Sequence, residues 1–258
     1  NQVRNSNIQL MEGFKVTDLL FDGGNVCGVK GHDETKTKFS IKAKVVIDGG
    51  GRNSISLRRL NLRRGSPGKG KIALAAHWEG IKGLGRYCYM HISHPGYTGI
   101  APVGHNRANV VLVVDRNYLA GANVEQFFMK IVLENRLRRR ILGGGATVEK
   151  IRTVDSLAYS VKKPRCGGLL LVGDATGFID PFTGEGIYLS LRSSQLAVGV
   201  VENAFDKSDF SSRHLQSYDL IRKKEFRKKN ILSKFLQRLI YRPYLCNRVV
   251  ETLATQKE

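Results

Sequence analysis

Two short apolar runs, each ending in a glycine- and aspartate-bearing turn, constrain the fold most. Val45-Val46-Ile47 leads into Asp48-Gly49-Gly50-Gly51-Arg52-Asn53-Ser54, and Leu169-Leu170-Leu171-Val172 leads into Gly173-Asp174. A short run that is apolar at every position predicts a strand covered on both faces, as in a parallel sheet. Helix signals follow both turns. Residues 55–60 come after Ser54, a suitable N-cap, and residues 186–205 follow the loop Asp180-Pro181-Phe182-Thr183-Gly184-Glu185. Strand, turn and helix, twice over, predict α/β architecture. Open sheets of that kind bind ligands at the carboxyl ends of their strands, where Asp174 stands.

The stretch between the two runs has a different character. Strand-like runs recur at residues 72–78, 86–92, 99–103 and 109–115, separated by turns such as His94-Pro95-Gly96 and Gly104-His105-Asn106. That spacing predicts an antiparallel sheet. A helix over residues 124–142 follows and stops at Gly143-Gly144-Gly145. Before the first run, residues 8–10, 16–21, 26–30 and 39–47 read as strands. Asp22-Gly23-Gly24-Asn25 supplies the positive φ of a hairpin turn. Residues 65–70, Gly-Ser-Pro-Gly-Lys-Gly, read as a linker, and everything after His214 as helix, with Pro243 its only breaker. The expected organisation is α/β with α+β elements: residues 1–64 and 156–206 form one interrupted domain, residues 65–155 an inserted sheet, and residues 207–258 a basic helical tail.

Composition excludes several classes. The 258 residues are 41% apolar and 25% charged, which suits a globular chain rather than a disordered one. No apolar run reaches the length of a spanning helix, and the start of the chain reads as no secretory signal. Cys27, Cys88, Cys166 and Cys246 have no metal-ligand spacing, so no metal site is expected; free thiols suit the cytoplasm. Lys and Arg number 42 against 22 Asp and Glu, a net charge of +20. The excess gathers in residues 58–64, 136–140 and 222–229, which are either solvated helix faces or attractors of phosphate. No zinc-finger spacing or RNA-binding aromatic signature accompanies them, which argues against nucleic acid. In the tail, Phe226, Ile231, Phe235, Leu239 and Ile240 lie among Lys and Arg. Such a stripe either packs on the body of the protein or meets an anionic membrane surface.

Gly184 and Gly186 open the second helix, where side-chain-free backbone and unpaired first-turn amides suit a flat or anionic ligand. The whole string, Gly173-Asp174-Ala175-Thr176-Gly177-Phe178-Ile179-Asp180-Pro181-Phe182-Thr183-Gly184-Glu185-Gly186, resembles the second flavin motif of the geranylgeranyl reductase group. That group falls within the p-hydroxybenzoate hydroxylase class of FAD oxidoreductases. The resemblance implies that Gly173, Asp174, Ala175, Pro181, Gly184, Glu185 and Gly186 meet FAD. Asp174 would bond the ribityl chain, Pro181 would lie beside the isoalloxazine ring, and the amides of 184–186 would face its pyrimidine edge. Val46 to Ser54 is similar to the group's G-A-D-G-R-N-S turn and adds Gly50 and Gly51 to the cofactor set. The group's aspartate falls on Gly50, so that carboxylate is either absent or supplied two residues early by Asp48. Tyr97 and Pro102 match the group's Tyr-x-Trp-x-Phe-Pro substrate strand, with Gly99 and Ala101 in place of its large aromatics.

The implied whole is a three-layer FAD domain interrupted by an antiparallel substrate-binding sheet. Its FAD would be reduced by NAD(P)H, and would reduce a C=C bond or hydroxylate a small hydrophobic substrate, isoprenoid or aromatic. Tyr97 and Glu185 are the candidate general bases. The group's opening G-x-G-x-x-G unit is absent, so the chain reads as a truncated flavoenzyme whose missing unit a separate chain could supply. Loss of that unit would leave the strand at 169–172 without parallel neighbours. The alternative reading is a flavin-free remnant that binds anionic partners, nucleic acid or a membrane surface, through its basic patches.

Overall fold

The computed structural model describes residues 4, 6–64, 70–81, 84–155 and 157–255. The expected linker therefore lies largely outside the described residues. In chain order the elements are β1 (Lys15–Asp22), β2 (Asn25–His32), β3 (Lys38–Lys42), β4 (Val46–Asp48), α1 (Ile55–Arg59) and β5 (Arg63–Arg64). They continue with β6 (Lys71–Glu79), β7 (Tyr89–Ser93), β8 (Gly96–Gly104), β9 (Arg107–Asp115), α2 (Val124–Glu134), α3 (Arg136–Leu142), β10 (Ala146–Thr147) and β11 (Arg152–Val154). Then come β12 (Tyr159–Val161), β13 (Leu169–Leu171), β14 (Gly177–Phe178), α4 (Gly186–Asp206), α5 (Ser212–Leu215), α6 (Ser217–Ile240) and α7 (Pro243–Thr255). The architecture is mixed α/β with a helical C-terminal region, as the sequence implied. Residues 8–10 form no strand.

The chain divides into two compact units, the first made of residues 1–64, 159–178 and 184–228. It holds the antiparallel sheet β1-β2-β3, the small sheet β14-β12-β5 and a parallel pair, β13-β4. The β1–β2 turn has Gly23 and Gly24 at φ 52° and 80°, the left-handed pair that a two-residue hairpin demands. Ser54 caps α1, its Oγ accepting from Leu57 N at 3.1 Å. Leu19, Val26, Leu57, Leu62, Leu169 and Leu171 pack one core, and Leu170, Val172, Ala197 and Val200 begin another beneath α4.

Two expectations need correction in this unit. The run at 39–47 is not continuous, because β3 ends at Lys42 and β4 restarts at Val46. Nor is β4 covered on both faces. Ile47 is 47% exposed, and among the described residues β4 pairs with β13 alone. β13 in turn keeps a parallel neighbour, with Leu169, Leu170 and Leu171 opposite Val46, Ile47 and Asp48, all three leucines buried. Among the described residues each strand of this two-stranded pair therefore keeps one edge without a strand partner, and of the two it is β4 that leaves an apolar side chain, Ile47, exposed.

The second unit comprises residues 65–158, 179–183 and 229–258, so the expected tail at 207–258 is divided between the units. Its sheet runs β10-β6-β9-β8-β7, with β11 also on β6. The three long neighbours β6, β9 and β8 are antiparallel throughout. Ile72, Leu74, Trp78, Ile100, Val110 and Leu112 line the face that packs on Phe128, Ile131, Val132 and Leu142 of α2 and α3. The single helix expected at 124–142 is two helices. Asn135, at ψ 126°, interrupts it, and its Oδ1 accepts from Leu137 N and Arg138 N, so it caps α3.

Candidate functional site

The parallel pairing of β4 and β13 brings the carboxyl ends of both strands together. Val172 N donates to Asp48 O at 3.1 Å, and short 3₁₀ turns follow at Gly51–Asn53 and Gly173–Thr176. Gly51 has φ 60°, and a Cβ there would lie 3.9 Å from the Asp174 Cβ. A Cβ on Gly49 would meet Val172 Cγ2 at 3.5 Å. Two strings more than a hundred residues apart therefore share one corner of the first unit. Positive φ also makes glycine the fitting residue at Gly173, whose N donates to Ser193 Oγ of α4 at 2.8 Å.

The two aspartates at this corner have different tasks. The Asp48 carboxylate is buried and turned into its own loop. It accepts from Gly50 N at 2.8 Å, Ser54 Oγ at 2.7 Å, Ser56 N at 3.0 Å and Ser56 Oγ at 2.5 Å. Burial alone would raise its pKa; the bonds from Ser56, Ser54 and Gly50 outweigh it and hold the carboxyl below the usual range. Asp48 therefore does not replace the carboxylate absent at Gly50. Asp174 is half-buried, and its carboxylate accepts no hydrogen bond among the described residues. Burial pushes its pKa up, and the Arg52 guanidinium pulls the other way. Such a carboxylate has acceptor capacity left for a ligand hydroxyl.

Tyr159, which nothing in its local sequence marked, supports this corner. Its hydroxyl donates to Asp174 O at 2.6 Å, and the Arg63 and Arg52 guanidiniums lie 4.4 and 5.9 Å from its ring centre. Burial pushes its phenol up to about 12, so it remains a donor at neutral pH. The Ala175 side chain is fully buried in the core with Leu57 and Leu171, so only its backbone is left to face a ligand. Gly184, at φ 67°, and Gly186 have open space where a Cβ would stand. Glu185 is the N-cap residue of α4 and its side chain does not cap.

Pro181 lies in the second unit with Asp180 and Phe182. There the Tyr97 hydroxyl donates to Asp180 Oδ1 at 2.6 Å, and Phe182 N donates to the same oxygen at 3.0 Å. Lys71 Nζ and Gln237 Nε2 donate to Asp180 Oδ2 at 2.9 and 3.3 Å. Tyr97 is 3% exposed, and burial together with the neighbouring Asp180 charge raises its pKa far above the ordinary tyrosine value. It is a positioning residue for the turn at 180–182, not a base. Nor does it share a pocket with Pro102. Five residues along one strand place the two on opposite faces, roughly 16 Å apart. Asp180 itself stood in the motif string, but no local pattern marked it as the acceptor of four donors. Tyr97→Phe is expected to lower the unfolding free energy by about 1.5–3 kcal/mol, the range for a bond to a charged group. Urea unfolding of the two chains measures it, and an unchanged midpoint would contradict the network.

A squalene epoxidase family model matches residues 123–244. Digeranylgeranylglycerophospholipid reductase 1 of Methanococcoides burtonii is 27% identical over 220 residues, 83% of this chain and 52% of the relative. The 1H-pyrrole-2-carbonyl-(peptidyl-carrier protein) chlorinase of Pseudomonas fluorescens is 24% identical over 224 residues, 82% of this chain and 49% of that one. Among solved structures, a geranylgeranyl bacteriochlorophyll reductase-like protein of Thermoplasma acidophilum superposes with a TM-score of 0.74 at 23% identity, over 89% of this chain and 58% of its own. The chain spans about half the length of the curated relatives it matches. Fold, motifs and relatives point the same way: the chain is similar to FAD-dependent oxidoreductases. Within that class the chain is related to the geranylgeranyl reductase-like proteins, as its two glycine–aspartate strings implied. The flavin-free alternative draws no support from these relatives.

Proposed function

We propose that the first unit holds part of the FAD site of an oxidoreductase acting on a small hydrophobic substrate. The observation that carries this reading is the convergence of Gly51 and the unbonded Asp174 carboxylate at the carboxyl ends of two parallel strands. The residues present fit the group. A carboxylate with spare acceptor capacity suits a polyol chain, and backbone open at Gly184 and Gly186 suits a flat ring. When bound, FAD would supply hydride or oxygen chemistry. This chain's residues would orient it: Asp174 through the ribityl hydroxyls, Gly50 and Gly51 through close backbone approach, and Gly184–Gly186 through first-turn amides aimed at developing negative charge. Tyr159 would keep the Asp174 turn in place.

NAD(P)H is the electron donor in this reading, and an isoprenoid or aromatic molecule the substrate. A further nucleotide-binding unit, from residues outside this sequence or from a separate chain, would pair with the open edge of β4. Exposed Ile231, Phe235, Tyr244 and Leu245 alternate with Lys234, Arg238 and Arg242, so an anionic membrane surface is the proposed place from which the substrate arrives.

The test is retention of flavin. The purified chain, mixed with FAD and desalted, is expected to keep visible flavin absorbance and to quench flavin fluorescence. Asp174→Ala is expected to weaken binding about tenfold, near the 1.4 kcal/mol of one good hydrogen bond. Absence of retained flavin from a folded sample, with and without an N-terminal fragment from a relative, would overturn the reading.

A further inference from the structure

A groove in the first unit lies before β13 rather than after it, and it has a different chemistry from the Asp174 corner. Its walls come from Leu60, Asn61, Leu62 and Arg64, from residues 161–166, and from Gln216 and Lys223. Arg64, Lys162, Lys163, Arg165 and Lys223 line it, and no Asp or Glu does. None of the five belongs to an ion pair among the described residues. Backbone pairing holds the cation-bearing walls side by side: Ser160 and Val161 of β12 lie opposite Arg64 and Arg63 of β5, and Lys162 N donates to Leu62 O at 2.8 Å.

An adjoining recess shares Lys162, Lys163 and Lys223 with the groove and adds Arg222. The Arg222 Nη1 donates to Thr176 Oγ1 at 3.0 Å and its Nη2 lies 3.5 Å from Asp219 Oδ1, while its Nε is buried with no acceptor. That recess also carries Asp219, so the wholly cationic, carboxylate-free lining is that of the groove itself. Like charges held together in a concave wall concentrate positive potential there. The open volume, about 940 Å³, is within the range of small-molecule sites, about 300–1,000 Å³. The polar, cationic lining suits oxygen acceptors rather than an apolar ligand.

We propose that this groove binds a compact phosphate-bearing ligand, of the charge and size of a diphosphate, through Arg64, Lys162, Lys163, Arg165 and Lys223. A diphosphate offers acceptors on several sides and can meet cations from both walls at once, which a single carboxylate cannot. The shared chemistry has two sources, a free diphosphate compound or a phosphomonoester lipid headgroup. The proposal is independent of the flavin site, because its test reads anion binding and not flavin content.

The experiment is calorimetric titration of the full chain with inorganic pyrophosphate at fixed ionic strength, beside flotation with phosphatidic acid vesicles. The variants are the triple change Arg64→Gln, Lys162→Gln, Lys163→Gln and, as control, Lys130→Gln on exposed α2. All these side chains are exposed, and circular dichroism confirms that each variant folds. The expected result is saturable pyrophosphate binding, weakened at least tenfold in the triple variant and unchanged in the control. Vesicle binding lost in the triple variant, without binding of free pyrophosphate, supports the proposal with a lipid headgroup as ligand. Binding of neither, equal loss in the control, or oligonucleotide binding that pyrophosphate does not displace would overturn it.

Discussion

Arg138→Ala is expected to lower the unfolding free energy by about 3–5 kcal/mol, a large fraction of what holds a domain of this size together. Arg138 is 1% exposed, although it stands in the most basic run of the chain, Arg136-Leu137-Arg138-Arg139-Arg140. Its Nε donates to Val132 O at 2.9 Å, its Nη2 to Ile131 O at 2.6 Å and its Nη1 to Ser93 Oγ at 2.8 Å. Those carbonyls belong to the last turn of α2, where intrahelical donors are missing. Alanine would leave two buried carbonyls unmet, at about 1–3 kcal/mol each, and a cavity besides. Arg138→Met restores the volume but not the donors, so it is expected to recover only part of the loss. Exposed Arg140→Ala should stay within about 0.5 kcal/mol of the parent chain. Chemical denaturation of the three variants decides the matter: equal midpoints for positions 138 and 140 would refute a buried capping role. The same geometry limits what this run can offer to phosphates. Arg139 Nε also donates to a helix-end carbonyl, Leu133 O at 2.8 Å, so two of the four arginines are engaged within the fold.

What could be read from the sequence was local. The left-handed glycines of the β1–β2 turn, the Ser54 cap and the spacing of the strand-like runs of β6 to β9 depend on residues close in the chain, and the structure has each of them. The two glycine–aspartate strings were equally legible, because each is a contiguous strand and turn. Partnerships made across the chain were not legible. Asn135 was hidden inside a helix-like pattern, since the break depends on its side chain capping the following helix and on arginines donating to the last carbonyls of the preceding one. Asp180 gathers donors from Lys71, Tyr97 and Gln237, positions that no spacing rule connects. Ala175 lies within a motif string, and the 3₁₀ turn at Gly173–Thr176 turns its methyl into the core, an orientation the string alone did not show. The apolar run at 45–47 predicted two covered faces; among the described residues β4 has only β13 beside it, and Ile47 stays exposed.

Asp48→Ala is expected to lower the unfolding free energy by about 3–5 kcal/mol, because it removes a buried charge that receives four hydrogen bonds. Asp48→Asn separates charge from shape. The serine hydroxyls can rotate to accept from the new amide, but Gly50 N and Ser56 N can only donate, so one of them faces a donor whichever way the amide turns if its oxygen serves the other. The expected cost is smaller, about 1.5–3 kcal/mol. The difference between the parent chain and Asp48→Asn must also depend on pH in one direction. Hydrogen bonds to the carboxylate hold its folded pKa below the unfolded value of about 3.9. The charged form therefore stabilises the fold fully above about pH 5, and that contribution is lost as pH falls past the unfolded pKa and through the lowered folded one. Urea unfolding of both chains between neutral and strongly acid pH should show the two stabilities converging at the acid end. A gap that stays constant would mean that Asp48 acts by shape alone. The same residue should govern the corner beside it. Asp48 orders the turn from Gly50 to Ser56, and Gly51 in that turn stands over Asp174, so Asp48→Asn should weaken flavin retention at neutral pH while Asp174→Ala leaves stability nearly unchanged.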